Sequence, residues 1–317
     1  MTLKTIYLFN PEHDMALAAN ETNYMAPATV RTMNSDLALL SIWYAGVGDG
    51  VLAASAYNAS YLAKMNEIFS FDWQLITEAE LREMPEVRFS VWGWDRALVK
   101  RLHSLGVGKK QLPSQEYLNL LREYSHRSVA VELLKRLQLN AYFCGQSVYL
   151  TSLDACREFV EQQECCLLKA PLSGSGKGLN WCKGVFTTFI SGWCRRIIAT
   201  QGGVIGEPVY VKDEDFAMEF YADGEGKISF AGYSLFRTNT SGMYGGNLLL
   251  SDEVILSRLS TYVPCVELLR LKDQLIVQLT HLVGGFYCGY LGIDMMICRA
   301  DSQSSAYQIH PCVEINL

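Results

Sequence analysis

Apolar and polar positions along this chain change rhythm near residue 140. Before it, short apolar runs alternate with stretches of helical spacing. TIYLFN near the start is a β-rich run ended by Asn10-Pro11, and the loop NPEHDMALAANETNYMAP follows. Residues 32–45 have helical spacing, VLAASAY (51–57) reads as a buried strand, 78–84 as a helix and FSVWGW (89–94) as a strand. DRALVKRLHSLGVG is a helix stopped by Gly106. This alternation predicts a parallel α/β layer over the first ~110 residues. Residues 112–139 are strongly helical, in two helices meeting near Ser125, with Ser114 as an N-cap.

Beyond residue 140 strand-like runs crowd together: AYFCGQSVYL, CCLLKA, GGVIGEPVYV, DFAMEFYAD, ISFAGYSLF and YQIHPCVEIN. Helical runs intervene at 152–163, 185–200 and 268–283. ADGEG (222–226) has the composition of a hairpin turn. The pattern predicts an α+β half whose sheets are built from hairpins, with no internal repeat and no low-complexity linker.

Composition narrows the function. The chain of 317 residues is long enough for one large domain or two to three smaller ones, and half of it is hydrophobic. A net charge of −6 argues against nucleic acid and anionic membranes as partners. Acidic substrates stay open, because a small basic pocket can hide in an acidic protein. The ten cysteines are scattered, with no C-x-x-C pair, which argues against structural zinc. The first apolar run is too short for a signal-peptide core, and no apolar stretch is long enough to span a bilayer. Together these predict a reduced, cytoplasmic protein.

Three segments carry candidate chemistry. The first is LLKAPLSGSGKGLNW (167–181), an apolar run ending in Lys169 and followed by a serine–glycine loop. It is not a P-loop: Pro171 stands where the first glycine belongs, and Gly178 follows Lys177. It is either a glycine-rich loop between two strands, closing its N–H groups over a triphosphate with Lys169 aimed at the phosphates, or a surface hairpin with solvated lysines. The second is the carboxyl end, GYLGIDMMICRADSQSSAYQIHPCVEINL. Glu314 and Asn316 alternate on a strand and share its face, and Asp294 joins them if its own strand is a neighbour. Two carboxylates and an amide oxygen suit Mg²⁺. The other reading is the polar side of an edge strand. The third is GGVIGEPVYVKDEDFAMEF, where Glu207 meets Pro208 and Asp215 precedes a new strand. It reads as a crossing that takes an adenine and its ribose, or as an acidic surface loop.

In that order the three segments resemble the ATP-grasp superfamily, the fold of carboxylate–amine ligases, over roughly residues 125–317. The fold so implied is α/β and α+β: a Rossmann-like pre-ATP-grasp domain (1–115), then a two-lobed ATP-grasp domain. Its helical linker and small lobe would span 116–205 and its large lobe, with the metal strands, 206–317. By position, Lys169 looks like the strand lysine on the α- and β-phosphates. Ser173, Gly174, Ser175, Gly176, Lys177 and Gly178 look like the flexible phosphate loop. Glu207, Pro208, Val209 and Tyr210 resemble the adenine hinge, Asp215 the ribose carboxylate, and Asp294, Glu314 and Asn316 the metal set. Arg127 stands where many members carry a phosphate-binding lysine, and its planar head reaches differently. Arg237, in FAGYSLFRTNTSGMYGGNLLL, stands where the family often stabilises an acyl-phosphate; Tyr244 and Asn247 are weaker candidates there.

The resemblance implies an ATP- and Mg²⁺-dependent ligase acting on a small-molecule carboxylate and an amine; the oligomeric state stays open, with a homodimer as one option. An ATP-grasp-type kinase, a non-catalytic nucleotide-binding protein and a chance match on an unrelated α/β protein remain as alternatives. Members run on past the E-x-N strand, whereas this sequence stops at Leu317. The expectation is a chain shortened at its carboxyl end. The Asn10–Asp14 cluster either binds the co-substrate or caps a helix through Asn10 or Asp14. His310 reads as a core or rim histidine, and Asp95 as a helix cap.

Overall fold

The computed structural model describes residues 4–53, 56–84, 86–174, 176, 178–299 and 306–317. Packing divides the chain into two compact units, Met1–Leu120 and Leu121–Leu317.

The first unit runs β1 (Thr5–Leu8), α1 (His13–Ala19), α2 (Ala28–Asp36), β2 (Gly50–Leu52), α3 (Ala56–Phe69), β3 (Gln74–Ile76), α4 (Glu78–Glu83), β4 (Arg88–Val91) and α5 (Arg96–Ser104). The strands form a sheet of order β3-β2-β1-β4, parallel throughout. Ile6 and Leu8 of β1 are buried with Leu98 and Leu102 of α5 in one apolar cluster. Such a parallel sheet needs helices on its faces, and the alternating pattern supplied them. Helices α4 and α5 start where a side chain takes up a free N–H. Thr77 and Glu80 form a reciprocal capping box for α4. Asp95 caps α5 by accepting from the Leu98 N–H at 2.9 Å.

Some expected elements change. The helix expected over 32–45 is α2 followed by a 3₁₀ turn, Ala38–Trp43. The strand expected over 51–57 ends at Leu52, and α3 begins at Ala56. The loop after β1 holds α1, and neither Asn10 nor Asp14 caps it. Glu12 occupies the N-cap without a side-chain bond. Asn10 turns its amide instead to Gly93.

Helix α6 (Gln115–Tyr124), capped by Ser114 accepting from the Tyr117 N–H at 3.1 Å, crosses the division between the units. The second unit then runs α7 (Arg127–Arg136), β5 (Val148–Leu150), α8 (Leu153–Glu161), β6 (Cys166–Lys169), β7 (Leu179–Cys182), α9 (Thr188–Gln201), β8 (Val204–Pro208), β9 (Val211–Asp223), β10 (Ile228–Thr238), β11 (Tyr244–Asn247), α10 (Asp252–Leu259), α11 (Cys265–Leu282), β12 (Cys288–Arg299) and β13 (Gln308–Asn316). Of the expected strand AYFCGQSVYL, Val148–Leu150 pairs as a strand and Phe143 forms a single parallel bridge to Ile309, the two parts being separated by Gly145 with a φ of 125°. Strands β5-β8-β6-β7 form one antiparallel sheet and β11-β10-β9-β12-β13 another. The ADGEG turn joins β9 to β10 as a hairpin.

The five-stranded sheet sorts its side chains by alternation. Phe216, Met218 and Phe220 of β9 pair with Met295, Ile293 and Leu291 of β12, and all six are buried. Leu268, Leu271, Leu275 and Leu279 of α11 are fully buried, and α11 packs on β10. The opposite face is thereby left to polar side chains. All ten cysteines are free thiols. Among the described residues no helix is long and apolar enough to cross a membrane.

Candidate functional site

Strand register builds the site as three rows across β9, β12 and β13. Asp215, Met296 and His310 form the first row, Ala217, Asp294 and Glu314 the second, and Glu219, Gly292 and Asn316 the third. Successive rows are two residues apart along β9 and β12, so all three lie on one face. Asp294, Glu314 and Asn316 are therefore neighbours on that face. Between Asp294 and Met296 the register of β13 shifts, so that Met296 faces His310. A bulge of this kind re-aims side chains locally.

Two cations reach this region from other elements. Arg127 starts α7, which packs against β13. Its guanidinium donates to the Ala170 carbonyl at 2.7 Å, to the Ser173 hydroxyl at 2.8 Å and carbonyl at 2.7 Å, and to the Glu314 carboxylate at 2.5 Å. One planar head thus ties the start of the glycine loop to β13. Lys169, at the end of β6, is buried and pairs with the equally buried Glu207 at 2.5 Å. Ser147 donates to Glu207 at 3.2 Å.

The two ion pairs belong to one electrostatic neighbourhood. The fully buried Cys312 thiol is pushed up chiefly by burial, and next by the carboxylates of Glu207 and Asp294. Burial is the first cause that raises Asp294 to about 7, and the Glu314 charge the second; Asn316 and Arg127 pull the other way. Glu219 is also raised by burial. His310 is fully buried, has no hydrogen-bond partner on either ring nitrogen among the described residues, and is lowered by burial to about 4. Its ring meets that of Tyr210 edge-on at 5.5 Å.

Val209 and Tyr210 link β8 of the smaller sheet to β9 of the larger one. Burial pushes the Tyr210 phenol up. Asp215 accepts from the Thr238 hydroxyl at 2.8 Å and pairs with Lys212 at 2.5 Å. The loop between β6 and β7 is closed at its base by the Ala170 N–H donating to the Gly178 carbonyl at 2.8 Å. Gly176 has a φ of 70°, and a Cβ there would come within 2.8 Å of the Gly242 carbonyl oxygen. Only glycine fits so close to the turn between β10 and β11. Ser175 and Lys177 lie outside the described residues.

The structure thus gathers Arg127, Ser173, Asp294, Glu314 and Asn316, with Lys169 and Glu207 beside them. Pro208 to Tyr210 and Asp215 border the group. It does not gather Arg237, which is exposed. Phe236 pairs with Asp215 in register, and Thr238 also reaches Asp215, so alternation turns Arg237 to the other face of the sheet. Tyr244 and Asn247 bond each other at 2.9 Å on β11. Glu219 is the residue sequence reasoning missed. The signal was present as alternation along β9, Asp215–Ala217–Glu219. What hid it was the need for an unoccupied neighbour, Gly292, over which the Glu219 carboxylate lies; a Cβ on Gly292 would come within 2.6 Å of Glu219 Oε2.

The donor set fits a hard cation. Among the described residues no three His, Cys, Asp or Glu side chains converge to hold a metal by themselves. Two carboxylates and an amide oxygen are instead the partial set of an ion that draws its other ligands from phosphates and water. A buried carboxyl raised to about 7 beside a second carboxylate is also what a divalent cation would discharge.

No protein-family profile matches this sequence, and no curated protein does. Solved structures do. The chain is similar to N5-carboxyaminoimidazole synthetase from Staphylococcus aureus complexed with ADP, with a TM-score of 0.50 and 12% identity, over 100% of this chain and 71% of that one. It is similar to a biotin carboxylase–β,γ-ATP complex from Campylobacter jejuni, with a TM-score of 0.52 and 13% identity, over 99% of this chain and 65% of that one. The fold is the ATP-grasp fold.

Proposed function

We propose that this protein is an ATP- and Mg²⁺-dependent ligase that joins a carboxylate to an amine through an acyl-phosphate. The observation that carries the reading is two ion pairs on one face, the buried Lys169–Glu207 and the half-buried Arg127–Glu314. Buried pairs are weak stabilisers, since desolvation offsets most of their attraction. Two of them around one polar face make better sense as charges held ready for a ligand. A nucleotide would take Lys169 and Arg127 onto its phosphates. That exchange frees Glu314 to act with Asp294 and Asn316 toward magnesium, which when bound supplies positive charge against the β- and γ-phosphate oxygens. The Pro208–Tyr210 backbone receives the adenine and Asp215 the ribose hydroxyls. The sheet carrying Lys169 and the Ser173–Gly178 loop forms the closing lobe.

In the reaction a substrate carboxylate oxygen attacks the γ-phosphorus and ADP leaves. The amine then attacks the acyl carbon and phosphate leaves. Lys169 and Arg127 stabilise charge on the transferring group, and the closed loop keeps water from the acyl-phosphate. Arg237 stands off this face and has no part in these steps.

A thermal-shift titration tests the nucleotide reading. Mg²⁺–ATP should raise the unfolding temperature of the parent, and Lys169→Ala and Glu314→Ala should lose that rise. A parent that gives no rise would sink it. The ligase reading is tested by phosphate release across amino acids and small peptides. ADP with free phosphate and a new amide supports it, whereas ADP with a stable phosphorylated product makes the protein a kinase.

A further inference from the structure

The geometry points to a second ligand site, in the first unit, for a small molecule carrying two or more phosphate or carboxylate groups. It lies in a groove of about 580 Å³ along the outer side of α5, a volume ordinary for a small-molecule site. Arg96, Lys100 and His103 line it from α5, and Lys109 from the 3₁₀ turn that follows. No Asp or Glu lines it. In a chain of net charge −6, a groove with four basic side chains and no acid is a local reversal of sign.

The basic groups are also placed against the helix that bears them. Arg96, Lys100 and His103 stand at i, i+4 and i+7, so they share one face over roughly 10 Å of helix axis. Like charges at that spacing repel. Arg96 sits in the first turn, where the helix dipole disfavours a cation. Asp95 does not relieve it, because its carboxylate caps Leu98. Among the described residues Arg96, Lys100 and Lys109 form no ion pair. Arg96 donates to the Asn119 side-chain oxygen at 3.0 Å, and Lys100 to the Asn23 side-chain oxygen. His103 Nδ1 donates to the Val107 carbonyl at 3.1 Å, which leaves Nε2 for another partner. Local rules broken together on one face mark a functional surface more often than an architectural one. An anion spanning the face resolves the conflict, with its apolar part against Val99, Leu112 and Leu118. This inference stands apart from the nucleotide reading, which concerns the other unit.

The test uses the full chain and two probes, inorganic pyrophosphate and citrate. The protein has five histidines, so the imidazole C–H resonance of His103 can be assigned by its loss in His103→Gln. Titration should move that resonance saturably, with a dissociation constant of about 1 mM or below. Lys100→Gln/Lys109→Gln should weaken binding about tenfold. Lys169→Ala should leave it unchanged, separating it from any phosphate contact in the second unit. Movement with pyrophosphate alone assigns a phosphate ligand, and with citrate alone a carboxylate one. A His103 resonance that stays still with both probes, or that titrates identically in the double variant, overturns the inference.

Discussion

In the first unit the fully buried Asn10 donates to the Gly93 carbonyl at 2.8 Å and accepts from the Gly93 N–H at 3.2 Å. His13 lies against the same glycine, so that a Cβ there would come within 2.3 Å of its ring. Asp95 caps α5. In the second unit buried and half-buried polar groups face each other: Lys169 with Glu207, Arg127 with Glu314, and Asp294 among carboxylates. The first cluster closes mainly on main-chain groups, with Asn10 also reaching the Asp95 carboxylate at 3.5 Å. The second is made of side-chain charges that can change partners without unravelling a strand. The difference is one of weight: the first cluster is held chiefly by backbone bonds, the second chiefly by pairs of opposite side-chain charges, although Arg127 also holds the Ala170 and Ser173 carbonyls.

The sharpest way to break this contrast is Lys169→Met. It strands Glu207 in the interior and should cost about 3–5 kcal/mol in denaturant unfolding, with loss of all Mg²⁺–ATP stabilisation. Adding Glu207→Gln should restore most of the stability but none of the nucleotide response. Restored nucleotide binding in the double variant would remove Lys169 from the site. Asn10→Ala comes next. It leaves the Gly93 N–H and carbonyl unpaired and should cost about 1–3 kcal/mol, while the thermal shift given by Mg²⁺–ATP persists unchanged. A large loss of that shift would erase the distinction between the clusters.

Acidity probes the second cluster alone. Asp294 has a folded value raised to about 7 from an ordinary 3.8. The folded state therefore holds that proton more tightly than the unfolded chain does. The contribution is fully present below pH 4 and is lost as pH rises through about 7. In metal-free buffer, stability from urea melts should fall across that window, and Asp294→Asn should flatten the fall. The smallest effect expected is that of Gly176→Ala. The positive φ and the close Gly242 carbonyl should together cost about 1–2 kcal/mol. Nucleotide affinity should drop several-fold, measured by calorimetry, with little change in the overall melt of the first unit.

The sequence was readable where one face of an element is packed. Alternation marked β9 and β13, because Phe216, Met218, Ile309 and Ile315 must all turn inward. The shared face of Glu314 and Asn316 followed from that period, whereas the place of Asp294 beside them depended on β12 pairing with β13. Short strands were readable only where they are mostly apolar, as in β1 and β6. β7 and β11 have four residues each, and their pairing is set by the turns that precede them rather than by their own composition. Parity was the other limit. Arg237 sits one residue away from the site face, and nothing in its polar surroundings says which way it turns. The shift in β13 is equally silent: it brings His310, not Cys312, opposite Met296. The partners of Arg127 were invisible because they come from a loop and from a strand almost two hundred residues away.

The pairing of Lys169 with Glu207 and of Arg127 with Glu314 has a consequence for rate. On the proposed reading, nucleotide phosphates and internal carboxylates would compete for the same two cations, so capture would wait on their release. At low ATP the observed association rate should climb with concentration. At high ATP it should level off at the speed with which the pairs part. A stopped-flow trace that plateaus in the parent and climbs further in Glu207→Gln would time that opening directly.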